Sequence, residues 1–230
     1  MKPKFNPILI LFLIAVLALF SCSPAYVPTS VEVPIFKEKG EVKASVQTGT
    51  CGIIDPHFSV AITDNVALMF NGSYGNSSSD SSDSYHYHLT GEFGLGYYEN
   101  FGNAGFYQVF AGYGLSQVKS RSDFWLIDDN TNEPTNAYMH KLFFQPSIGF
   151  TYPYIDFAFT PRMTFIHMDV YNRTYDDLFF EPVLTLTLGS PNFKLTGQGG
   201  LSIPMQVIDY DYRVFIINIG CSFIFGRNTN

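Results

Sequence analysis

Four charged side chains, Glu92, Lys141, Arg162 and Glu181, stand inside otherwise uncharged, alternating stretches of the sequence. If those stretches are extended and enclose a common interior, the four form one polar network. Such a network can act in two ways. It can tune selectivity or gating in a narrow channel, or it can simply pair charge across an interior already filled by side chains. His86 and His88 are two positions apart, so in a strand their imidazoles point to the same side. With Asp80 and Asp83 just upstream they could share a proton or a metal, or form only a solvated rim. His167 and Asp169 repeat the spacing, in phase with the apolar Phe165. No calcium-loop spacing and no Ser, His and Asp set of a hydrolase accompanies either pair. No catalytic residue, metal ligand or cofactor is therefore assigned.

The elements that must position these residues are strands. From Gly40 onward apolar and polar residues alternate with period two, between turn-forming clusters. Phe215, Ile217, Ile219, Cys221, Phe223 and Phe225 share one face, with Asn218, Gly220 and Ser222 on the other. Tyr85, Tyr87, Leu89, Phe93, Leu95 and Tyr97 alternate with His86, His88, Thr90, Glu92, Gly94 and Gly96. Similar patterns cover 107–116, 142–150, 157–165, 183–188 and 193–207, and weaker ones 41–47, 57–63 and 66–74. About ten strands result, with eight as the alternative count. The fold class expected is all-β, an antiparallel up-and-down transmembrane β-barrel.

Composition bears on which face is outside. Charged residues make up 14% of the chain and aromatics 17%, against about 25% charged in an ordinary soluble domain. A soluble barrel with an apolar cavity needs a Lys- and Glu-rich exterior. Here the polar face is mostly Ser, Thr, Gln, Gly and Asn, which suits an interior, and leaves the apolar face for lipid. The formal net charge of −7 argues against a nucleic-acid partner. Connections alternate in length, as such barrels require: short at 63–65, 99–105, 152–154 and 189–192, longer at 75–84, 119–136 and 172–177. An even strand number then sets both ends of the barrel on the short-turn side. Of the three cysteines, Cys51 falls in a connection and Cys221 in mid-strand, so a bridge between them is not expected.

The N-terminus carries Lys2 and Lys4, an unbroken apolar run over 8–20, then Ser21 and Cys22. That run suits an export signal and is short for a membrane helix. Leu19, Phe20, Ser21 and Cys22 resemble the lipobox of bacterial lipoproteins. With the closing strand and its Phe223 and Phe225, the chain resembles the small outer-membrane β-barrel lipoproteins of gram-negative bacteria.

The resemblance implies diacylglyceryl transfer to Cys22, with Ser23 directing the protein to the outer membrane. It also implies handling by lipoprotein-sorting and barrel-assembly machinery, and contact with outer-membrane lipid and lipopolysaccharide. Residues 1–21 are then a signal peptide and 22–38, with Pro24, Pro28 and Pro34, a periplasmic tether. The barrel takes up 39–226 and a tail 227–230. The role expected is non-enzymatic, structural or interacting through external loops. A narrow channel for small solutes and a barrel enzyme acting on envelope lipid or peptide are the alternatives.

Overall fold

Period-two alternation closes on itself in the computed structural model, which describes residues 24–49, 52–78, 85–121, 135–170 and 173–226. The strands are β1 (Val42–Gly49), β2 (Ile54–Ala61), β3 (Val66–Ser78), β4 (Tyr85–Phe101), β5 (Gly105–Arg121) and β6 (Thr135–Thr151). After them come β7 (Ile155–Val170), β8 (Arg173–Gly189), β9 (Phe193–Leu201), β10 (Ile203–Pro204) and β11 (Phe215–Phe225). Each of β1 to β8 pairs antiparallel with the next, β9 lies between β8 and β11, and β11 pairs with β1 to complete the ring. β10 keeps the register of β9 against β8: Val183 faces Gly200 and Phe180 faces Ile203. The two are one strand interrupted at Ser202, whose N–H turns to the Val214 carbonyl at 2.7 Å. Eleven strand segments, two of them in line, make a closed all-β barrel of ten strands.

Alternation sorts the side chains. Along β4, His86, His88, Thr90 and Glu92 are buried, while Leu89, Phe93, Leu95 and Tyr97 point outward. β11 does the same, with Ile216, Asn218, Ser222 and Ile224 inward and Ile217, Ile219, Phe223 and Phe225 outward. The barrel is lopsided: β4, β5, β6 and β8 have 17 residues each, β1 and β2 only 8. At about 3.3 Å per residue the long strands reach about 55 Å.

One end of the barrel carries the tight links at 62–65, 102–104, 152–154 and 190–192; the other carries those at 50–53, 79–84, 122–134 and 205–214. The connection expected over 172–177 is not a long one. β7 and β8 stay paired from Val170 opposite Arg173 onward, through Asp169–Thr174 and His167–Asp176. Thr174 donates to Asp169 at 2.9 Å and His167 meets Asp176 at 2.7 Å, so polar pairs across the two strands carry the ladder past the apolar pattern.

The largest departure concerns the expected tether. Residues 24–36 are buried throughout, and their partners come from strands all around the ring, so the segment lies inside the barrel. Its composition explains this: between Pro24 and Phe36 the only charge is Glu32, and Val27, Val31, Val33 and Ile35 cannot remain in water as a solvated linker would.

The wall makes room for bulk inside. A Cβ on Gly96 would lie 2.3 Å from the Phe110 ring, so this glycine is the seat into which the neighbouring strand's phenyl ring fits.

Candidate functional site

The chain enters the bore at the end bearing the longer links. Tyr26 stacks on Phe179 with ring centroids 4.3 Å apart, beside Val118, Ala137, Met139, Ile166 and Met168. The connection 205–214 folds against the same place. The Asp211 carbonyl accepts from Ala25 N–H at 2.9 Å, and Arg213 N–H donates to the Tyr26 carbonyl at 3.0 Å. Tyr210 donates to Asp177 at 2.7 Å. Burial and the adjoining Asp177 carboxylate push the Tyr210 phenol well above its ordinary range. Burial pulls the Arg213 guanidinium down to about 10.

Deeper in, the segment meets the charged residues picked out by sequence. Arg162 donates to both oxygens of Glu92, at 2.9 and 3.0 Å, and its Nε lies 3.8 Å from Glu181. The guanidinium stacks on Phe143 at 4.5 Å, and the Lys141 ammonium sits 5.3 Å above the Tyr26 ring. Tyr26 donates to Glu181 at 2.7 Å and Thr29 to Glu92 at 3.0 Å. Glu92, Lys141, Arg162 and Glu181 are thus gathered around the inserted chain.

A second set was not singled out by sequence. The Asn71 amide nitrogen lies 3.3 Å from Glu92, which leaves its oxygen to accept from His57 Nδ1 at 3.0 Å. His57 Nε2 is then the acceptor for the Ser30 hydroxyl, at 2.8 Å. Ser30 N–H also donates to Asp55 at 3.0 Å. A serine, a histidine and an orienting amide have the order of a nucleophilic site. Ser30 has no exposure, however, and its hydroxyl and N–H are already committed to His57 and Asp55 of the wall. The set is a latch. Only the phase of His57, shared with Asp55 and Ser59 and alternating with Pro56 and Phe58 in β2, hinted at its inward direction.

Below the latch, the Val31 backbone exchanges two bonds with Gln198, Glu32 pairs with Lys43 at 2.9 Å, and Gln145 donates to the Glu32 carbonyl at 2.7 Å. Val33 and Ile35 pack with Phe106, Ala158, Val183 and Ile216, and Phe36 with Tyr98, Phe110 and Phe143 near the short turns. Asn100 donates to the Phe36 carbonyl at 2.9 Å. Ile35 holds φ at 56°, a left-handed conformation rare for a β-branched residue. The chain then turns at Gly40, with φ at 88°, into β1.

His86 and His88 face inward, their rings stacked 6.2 Å apart, and His88 Nε2 lies 3.1 Å from the Thr90 hydroxyl. Asp80 and Asp83 lie outside the described residues. Among the described residues no three metal-binding side chains gather. His167 points outward and takes Asp176, not Asp169, as its partner. Cys221 is on the outer face and unbridged; Cys22 and Cys51 lie outside the described residues. A shallow outer groove of about 470 Å³ runs past Leu89, Leu115, Tyr138 and His140.

No protein-family model and no curated protein matches this sequence.

Proposed function

We propose that this chain is an outer-membrane β-barrel lipoprotein whose bore is stoppered by its own N-terminal segment. Its role is non-enzymatic: it serves the envelope as a structural element or through its longer connections. The observation that carries the reading is inverted polarity. Leu115, Leu142, Ile148 and Leu195 are each more than half exposed on the outside, while Glu92, Lys141, Arg162, Glu181 and Lys194 are buried inside. A water-soluble protein seldom exposes more than a few hundred Å² of contiguous apolar surface. An apolar belt around a barrel needs lipid against it.

Aromatic residues fit the same reading. Tyr74 and Tyr87 contact each other toward the end with longer links, and Tyr97 and Tyr107 toward the short turns. Outward tyrosines near both ends of the strands match the two interfacial girdles of a membrane barrel. No helix among the described residues is long and apolar enough to cross a membrane; strands cross in this reading. Cys22 is the acylated residue, and outer-membrane lipid and lipopolysaccharide are the surroundings. Barrel-assembly and lipoprotein-sorting machinery act during biogenesis.

The buried segment argues against an open channel, and the enclosed Ser30, His57 and Asn71 set argues against hydrolysis. The test is gel migration with and without boiling, combined with metabolic labelling by an acyl-chain analogue. The expected result is a heat-modifiable band from the outer-membrane fraction whose label is lost in Cys22→Ala. A soluble, unlabelled protein whose migration ignores boiling overturns the proposal.

A further inference from the structure

The inserted segment has a direction. Tyr26 sits with Phe179 and Tyr212 at the end bearing the longer links, and Phe36 with Tyr98 and Asn100 at the short-turn end. Between them the contacts descend in order: Thr29 to Glu92, Ser30 to Asp55 and His57, Val31 to Gln198, Glu32 to Lys43. Ten residue steps separate Tyr26 from Phe36. At about 3.3 Å per extended residue they cover about 33 Å, close to the ~30 Å hydrocarbon core of a bilayer.

Cys22 is four residues before Tyr26. Four residues reach at most about 14 Å, far less than the way back to the short turns. We propose that the acylated Cys22 lies at the end bearing the longer links, with its lipid in the outer leaflet at the cell surface. The chain then crosses the membrane once inside its own barrel before β1 begins. This rests on the outer-membrane reading above, in which short turns face the periplasm.

A periplasmic Cys22 would require the segment to leave the bore. The Arg162, Glu92 and Glu181 network would then lose Thr29 and Tyr26, and Lys43 would lose Glu32. Arg162, Glu92 and Glu181 would keep one another but lose two hydrogen bonds. Lys43 would be left as a charge without its carboxylate, a loss of several kcal/mol where it stays buried, so the interior opposes the alternative route. The ligand class at the surface is the acyl chain itself. The lipid is attached by a segment threaded through the protein, beside the longer links, and not by a leash on the periplasmic side.

The experiment places one short epitope in the full-length chain at one of three positions: between Ser23 and Pro24, between Ser81 and Ser82, or between Ser190 and Pro191. Intact and permeabilised cells are then stained with antibody. Heat-modifiable migration verifies folding of each. The expected result is staining of intact cells for the first two tags to the same extent, with the third seen only after permeabilisation. If the tag after Ser23 needs permeabilisation while the tag after Ser81 does not, the inference is overturned and the membrane orientation stands. If the tag after Ser190 stains intact cells and the one after Ser81 does not, the orientation is reversed and both readings fall together.

Should the first tag impair folding, Ser23→Cys in a Cys51→Ser, Cys221→Ser background is probed instead with a membrane-impermeant maleimide. Labelling in intact cells is expected; labelling only after lysis overturns the inference.

Discussion

The two halves of the inserted segment are held differently. From Tyr26 to Glu32 the chain is bound mainly by side chains: Glu181, Glu92, His57, Asp55, Gln198 and Lys43 each take a particular partner. From Val33 to Phe36 it is held by apolar packing against Phe106, Phe110, Phe143 and Ile216, and polar contacts reach mainly its backbone. Apolar packing is strong and nearly indifferent to small shifts along the chain. Polar partners are selective, because a slip of one residue breaks them all and leaves buried groups unpaired. The lower half therefore supplies adhesion and the upper half supplies register.

Excising residues 25–36 removes both halves and has the largest expected effect. Ion conductance absent from the wild-type protein in planar bilayers is expected to appear in the deletion. Equal conductance in both would place the segment outside the bore.

Arg162→Met breaks the upper half at its centre and strands Glu92 and Glu181. About 4 kcal/mol of stability is expected to go, by analogy with buried pairs that lose one member, read from the urea midpoint in detergent micelles. A change below about 1 kcal/mol would mean that water already reaches the network. Phe36→Ala probes the lower half and is expected to cost about 3 kcal/mol by opening a cavity between Tyr98 and Phe110. Thr29→Val removes one bond to Glu92 and is expected to cost about 1 kcal/mol. A Thr29→Val cost as large as that of Phe36→Ala would erase the contrast between the halves.

The smallest effect concerns the link over the mouth. The folded Tyr210 phenol titrates above its unfolded value of about 10. The protonated phenol is the form that the fold favours. Its contribution is complete below pH 10 and fades as pH rises past that value toward the folded pKa. Wild type is expected to lose stability more steeply above pH 10 than Tyr210→Phe, in parallel urea titrations. Identical slopes would remove Tyr210 from the account.

The ring of strands was legible because two independent patterns agreed: period-two alternation and the spacing of turn residues. Glu92 and Arg162 stood out because charge is rare in this chain, and opposite signs on one face find each other inside a closed wall. What the alternation could not convey was the content of the bore. Pro24, Pro28 and Pro34 read equally well as a solvated leash or as an extended segment with few donors left to satisfy. The distinguishing signal was Val31, Val33 and Ile35 around a single Glu32, an apolar run that is too long for a leash. Ser30, His57 and Asn71 were invisible as a set, since their proximity depends on the segment being inside. The link over 171–172 was misjudged because Asp176 and Asp177 look like loop residues, whereas one faces His167 outside and the other Tyr210 inside.

The turn over 37–41 joins the segment to β1, with Lys37 N–H donating to Glu41 at 3.2 Å and Gly40 N–H to Ala61 at 2.9 Å. A stopper leashed so closely to the wall it closes never leaves its neighbourhood. Short linkers give an effective concentration in the millimolar range or above. Any excursion of the segment is therefore brief, and a separate peptide of the same sequence competes for the bore only when supplied at comparable concentration.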